Sequence, residues 1–202
     1  MLQARKVSSS LVVAALVLLL TACAGSSKNI REASPENTDV KPDGSKAVLV
    51  LLRPSFVGGA IQSTVFEIKD GNPVLVGPVA PKTKLAYRVE PGEHLFMVIS
   101  ENADFMSADF IAGKTYYALV TPRMGIWKAR FSLLPMHQDD LSAEKFKSYL
   151  SDCRKWIEKT PEADQWAIEN MPSIQSKFSD YYAKWMSKSP AERPELVAND
   201  GQ

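Results

Sequence analysis

Four patterns of apolar and polar positions follow one another along the chain. The first is an unbroken apolar run, Leu11 to Leu20, preceded by Arg5 and Lys6 and closed by Leu20-Thr21-Ala22-Cys23. The second, Ala24 to Lys46, is rich in Ser, Asn, Glu, Asp, Lys and Pro, with almost no large apolar residue after Ile30. Such composition has too little apolar surface to offset ordering entropy, so residues 23–46 are expected to be a flexible linker. The third pattern starts at Ala47. Residues 47–53 are continuously apolar up to Arg53 and end at Pro54, which predicts a strand covered on both faces. Beyond a Gly58-Gly59 loop, Thr64, Phe66 and Ile68 alternate with Val65, Glu67 and Lys69. Asp70-Gly71-Asn72-Pro73 then supplies a turn into Val74 to Val76.

Alternation of period two continues. Leu85, Tyr87 and Val89 lead into Glu90-Pro91-Gly92-Glu93, a type II turn by its Pro-Gly pair. Strands are expected again over 94–99, 104–111 and 114–121. A last one has Trp127, Ala129, Phe131 and Leu133 on one face and Lys128 and Arg130 on the other. About seven or eight short strands without intervening helices predict an antiparallel β-sandwich over 47–135. After Pro135 the period changes to that of a helix. Leu141, Phe146, Tyr149, Leu150, Cys153, Trp156 and Ile157 form one stripe. Met171, Ile174, Phe178, Tyr181, Tyr182 and Trp185 form a second, which begins at Thr160-Pro161 and is interrupted at Pro172. The expected architecture is mainly β with an α appendage: a sandwich, a helical extension over 136–188, and a polar tail over 189–202 that frays.

The amino-terminal pattern decides location. A basic head, a short apolar middle and small residues before a cut form a secretory leader, too short for an ordinary membrane span of about 20 residues. Leu20-Thr21-Ala22-Cys23 resembles the lipobox of bacterial lipoproteins. The resemblance implies that the Cys23 thiol carries diacylglycerol, that the leader 1–22 is removed, and that the new amine is acylated. Three chains exceed the two signals needed for stable anchoring. Ala24, where an Asp would resemble an inner-membrane retention signal, implies the outer membrane, with the domain facing the periplasm.

Composition narrows the function classes. Of 202 residues, 45% are hydrophobic and 23% charged, ordinary for a globular protein. The formal net charge is +1, and losing Arg5 and Lys6 with the leader takes it to −1. A near-neutral chain lacks the electrostatic footprint of a nucleic-acid binder. With Cys23 lipidated, Cys153 is alone, and a lone apolar-stripe cysteine is expected to be buried.

A second resemblance rests on Arg53-Pro54, Asp70-Gly71, Pro91-Gly92-Glu93-His94 and Ala112-Gly113-Lys114-Thr115-Tyr116-Tyr117. In this order they look like an uncharacterised family of small bacterial lipoproteins with a β-sandwich domain, over about residues 46–135. Turn and core residues carry it, so it implies a fold and transfers no functional residue.

Chemistry is sparse. The histidines are His94, just after a turn, and His137, just before Asp139-Asp140. No zinc spacing, phosphate loop, nucleophile elbow or His-Glu-x-x-His motif occurs, so no catalytic, metal or cofactor residues are assigned. Lys128 and Arg130 form a basic stripe that is either a solvated sheet face or an anion site. Trp156, Trp166, Tyr181, Tyr182 and Trp185 either pack within the chain or form a docking face for an envelope protein, since Trp and Tyr are favoured at such interfaces. The expected function is a membrane-anchored, non-catalytic binding or scaffolding module of the cell envelope. The alternatives are a small-ligand binder using the sandwich end loops and an envelope hydrolase. A histidine beside an acid and a hydroxyl in a pocket would favour the hydrolase.

Overall fold

Strand β2 (Ala47–Arg53) is where the architecture converges, because none of its residues reaches solvent to any extent. In the computed structural model, which describes residues 28–123 and 130–202, Ala47, Leu49 and Leu51 point into one apolar cluster. Val48, Val50 and Leu52 point into another on the opposite face. Continuous apolarity in this strand thus corresponds to cover on both sides.

The remaining strands are β1 (Ile30–Glu32), β3 (Ser63–Lys69), β4 (Asn72–Val79), β5 (Thr83–Val89), β6 (Gly92–Ile99), β7 (Ala103–Phe110), β8 (Thr115–Arg123), β9 (Arg130–Pro135), β10 (Lys155–Lys159) and β11 (Glu195–Leu196). They form two sheets in the orders β1-β10-β5-β2-β8-β9 and β11-β7-β6-β3-β4. Inward residues of both, including Leu49, Phe96, Tyr116 and Phe131, share one buried cluster, giving a mainly β, sandwich-like body.

Helices cover the outer faces. Helices α1 (Gln138–Leu141) and α2 (Glu144–Asp152) bring Leu141 and Phe146 onto Val48, Val50, Leu52 and Leu119 of the first sheet. The long helix α3 (Pro161–Met186) lays Ala167, Ile174 and Trp185 on Phe66, Met97, Ile99 and Phe105 of the second. Alternation in β6 sorts the two sides: Phe96 and Val98 face the shared core, while Met97 and Ile99 face α3. The Asp70-Gly71 loop between β3 and β4 has positive φ at both residues, 51° and 75°, as a two-residue hairpin turn requires. At Gly77 (φ 157°), opposite a register shift between Val65 and Phe66, a Cβ would lie 2.7 Å from the Leu85 side chain.

Several expectations are corrected. The sheets are mixed, because β2–β8, β5–β10 and β7–β11 pair parallel. Chain crossings between the sheets bring β8 back beside β2 after β3, β4, β6 and β7 have entered the other sheet.

Within the stretch expected to be a linker, β1 pairs with β10 and Val40 is buried against the α1/α2 face. Backbone pairing, with Ile30 packed on the shared core and Ala33 and Val40 buried, supplies what composition lacked.

Residues 155–159, read as helix, form a strand. The α2 helix ends before Cys153, and Ile157 enters the shared core while Trp156 lies on the outer face. The helix α3 runs unbroken through Pro172. Pro172 and the residue four before it, Ile168, are both exposed, so the carbonyl that loses its partner faces water while Met171 and Ile174 hold the helix on the sheet.

The tail expected to fray is pinned. Leu196 is fully buried, β11 pairs with β7, and the Gln202 backbone bonds to Thr115 in both directions. The Ser189–Glu192 capping box does form, around a single 3-10 turn.

Candidate functional site

Three polar arrangements and one groove stand out from the packed body. The first is built on Glu67 of β3. Its side chain lies on the core-facing side of the strand and is 1% exposed. Its Oε1 meets His94 Nδ1 at 2.6 Å, and its Oε2 accepts the Tyr87 hydroxyl at 2.5 Å and Lys69 Nζ at 3.0 Å. Burial pushes the carboxyl up, but the bonds from His94, Tyr87 and Lys69 outweigh it and hold Glu67 down to about 2. Burial, then the bond to Glu67, raises the Tyr87 phenol.

An acid, a histidine and a hydroxyl therefore do meet, but not in the order a nucleophilic triad needs. Both Tyr87 and His94 donate to the same carboxylate. The other nitrogen of His94 faces the Glu90 carbonyl at 2.9 Å. His94 is thus held between the Glu67 carboxylate and the Glu90 carbonyl, and the Tyr87 hydrogen is already committed to Glu67.

The second arrangement is Arg53, fully buried at the end of β2. Its Nη1 donates to the carbonyls of Ile61 (3.1 Å) and Val79 (2.9 Å) and to Ser63 Oγ (3.0 Å), and its Nη2 donates to the Gly58 carbonyl (2.8 Å). The guanidinium lies 4.5 Å over the Phe131 ring. Burial lowers Arg53 to about 10, which leaves it charged at neutral pH. It acts as a clamp on the loop between β2 and β3. Sequence reading placed Arg53 at the end of a strand, and nothing in a strand-end Arg-Pro pair signals burial of the guanidinium.

The third is His137, which caps α1 and bonds Asp200 Oδ2 at 3.0 Å, while Asp140 accepts the His137 backbone N–H. This ties the tail to the first helix. Among the described residues no group of three or more His, Cys, Asp or Glu side chains is arranged to hold a metal. Cys153 is buried and unpaired, and burial pushes its thiol up to about 11.

The groove runs along the outer face of the second sheet, beyond the part that α3 covers. Its volume is about 600 Å³. The cross-strand row Ile68–Leu95–Ser107, continued by Glu195, forms its floor. Tyr182, Trp185 and Arg193 line its side. Trp185 is 5% exposed, and Arg193 lies 5.3 Å over its ring. The lining also includes His94 and Asp109.

The aromatic residues singled out from the sequence mostly serve packing. Phe105 contacts Phe178, Tyr182 and Trp185 ring to ring, and Trp166 and Tyr181 join the same cluster half-buried. Trp156 lies on the first sheet beneath Lys84, whose Nζ is 4.6 Å over its ring. The five therefore do not form one exposed face, and only Tyr182 and Trp185 reach the groove.

Cys23 and Lys128 lie outside the described residues. Arg130 is exposed at the start of β9, directly opposite Arg123, which pairs with Asp104 at 2.7 Å. Among the described residues no helix is long and apolar enough to cross a membrane.

A scan against protein-family models finds no match for the chain, and a search of curated proteins finds none.

Proposed function

We propose that the protein is an outer-membrane lipoprotein, anchored through Cys23, whose sandwich body works in the periplasm as a non-catalytic binding module. The anchoring half of this reading rests on the Leu20-Thr21-Ala22-Cys23 motif. The binding half rests on one observation, the groove of about 600 Å³ between α3, β6, β7 and the tail. That volume falls within the range of ligand sites, and the lining sets the apolar Ile68 and Leu95 beside the polar Ser107, Asp109, Arg193 and Glu195. The groove fits an extended segment of an envelope protein. An apolar side chain of that segment would lie on Ile68 and Leu95 against Tyr182, while Ser107, Asp109 and Arg193 would address its polar groups.

The non-catalytic half of the reading is supported by the committed hydrogen bonds of Glu67, Tyr87 and His94. The envelope hydrolase would need one of them free. The two sheets are read as the halves of a β-sandwich on the strength of their common core.

The test is photo-crosslinking in intact cells from a reactive residue at Asp109, in the groove, and at Ile168, on the exposed side of α3. A single adduct from Asp109, absent from Ile168 and lost when Ser107→Trp fills the groove floor, is expected. Adducts that survive Ser107→Trp would count against the groove.

A further inference from the structure

Among the described residues, the loop between β2 and β3 carries the most exposed of the large apolar side chains. Phe56 is 73% exposed and Val57 57%, and residues 54–62 contain no charged side chain at all. A loop free to move would fold such residues inward. This one is held out. Arg53 grips the Gly58 and Ile61 carbonyls from inside, Ile61 N–H bonds the Gly58 carbonyl at 2.9 Å, and Val57 N–H bonds Ser55 Oγ at 3.1 Å. A buried guanidinium, costly to desolvate, thus keeps an apolar tip presented to the outside.

The start of the described chain lies against the same loop. Asn29 Nδ2 donates to Gln62 Oε1 at 3.3 Å, and Ile30 shares a recess with Gly59, Ala60 and Ile61. Thr160 fixes this start through its hydroxyl on the Lys28 carbonyl at 2.7 Å. Only five peptide steps separate Cys23 from Lys28. At 3.3–3.6 Å per residue they span at most about 18 Å. A lipid on Cys23 would therefore hold this end of the body, and no other, at the bilayer. Exposed cations flank it: Lys28 at the chain start and Arg130 on β9, the neighbour of Phe131, whose ring meets Gly58. Apolar tip residues with cations beside them match an anionic bilayer surface.

We propose that Phe56 and Val57 enter the interfacial layer of the membrane that carries the Cys23 lipid, so that the anchored body is seated on the bilayer rather than swinging from a tether. The inference rests on the lipid-anchored reading above. It also orients the molecule, because the loop defines which end faces the lipid.

The test uses the full chain matured in cells, reconstituted into vesicles of phosphatidylethanolamine and phosphatidylglycerol. An environment-sensitive fluorophore is placed at Phe56→Cys or, for comparison, Ile168→Cys, and mass spectrometry reads the lipid on Cys23. With lipid present, a blue-shifted probe at position 56 that is quenched from the acyl chains, beside an unshifted probe at 168, is the expected result. Lipid present with the probe at 56 still in water overturns the seating and leaves the anchor standing. A probe at 56 that is shielded but not quenched from the chains means that a second copy of the protein covers the loop, and also overturns it. Absence of lipid on Cys23 overturns the anchored reading and the seating with it.

Discussion

Replacing Glu67 by Gln isolates the charge of a buried carboxylate from its shape. In the folded protein the carboxyl is held at about 2 against an ordinary value of 4.5. At about 1.4 kcal/mol per pH unit, that gap corresponds to about 3 kcal/mol of stability. A group depressed by folding contributes fully above its unfolded value. The contribution is present above about pH 4.5 and is lost as the pH falls toward 2. Near neutrality Glu67→Gln should therefore lower stability by about 3 kcal/mol, because His94 and Lys69 lose the charge that faces them. In urea this is a midpoint lowered by about 1–3 M, given slopes of about 1–3 kcal/mol per M. The distinctive result is the pH dependence. The gap between wild type and variant should close as the pH drops from about 4.5 toward 2, since the wild type protonates Glu67 there and the variant has nothing to protonate. A gap that stays constant over that range would show that the loss is one of packing and would refute the electrostatic account.

Three further outcomes follow from the packing. Arg53→Met removes the guanidinium bonds to the Gly58, Ile61 and Val79 carbonyls and should cost about 3–5 kcal/mol, with new proteolytic cleavage within residues 55–62 seen by mass spectrometry. Trp185 N–H reaches no hydrogen-bond partner among the described residues, so Trp185→Phe should cost no more than about 1.5 kcal/mol while Trp185→Ala costs about 3–5; similar losses by calorimetry would contradict the packing role. Leu196→Ala should cost about 2–5 kcal/mol because the side chain is fully buried, and hydrogen exchange should then show β11 and the Gln202–Thr115 bonds opening; a tail unchanged by the substitution would mean that β11 is held by its backbone alone.

Much of the body was legible from periodicity. Continuous apolarity in β2 announced a strand covered on both faces, and Asp70-Gly71 announced a tight hairpin, because these are local consequences of side-chain spacing and backbone sterics. The basic head, the apolar run of residues 11–20 and the cysteine after it are likewise read from sequence alone. What periodicity did not reveal has one physical cause: a residue's environment is set by whatever the fold brings beside it. Trp156 and Ile157 extend a helical stripe on paper, yet an open strand edge beside β5 recruits them into β10. Leu196 sits in a polar tail, yet the edge of β7 pairs with its backbone and buries it. Glu67 alternates like any outward polar residue, until Tyr87 from one sheet and His94 from the other converge on it across the core. Arg53 reads as a strand end and becomes the buried clamp on an apolar loop. The sequence by itself determined the strand-rich body and the helices that follow, since spacing and local chemistry encode them. Only the tertiary structure decided the parallel pairings, the ordered start and tail, the hydrogen-bonded carboxylate and the groove, because each joins residues far apart in the chain through backbone edges and buried charges that carry no local signal.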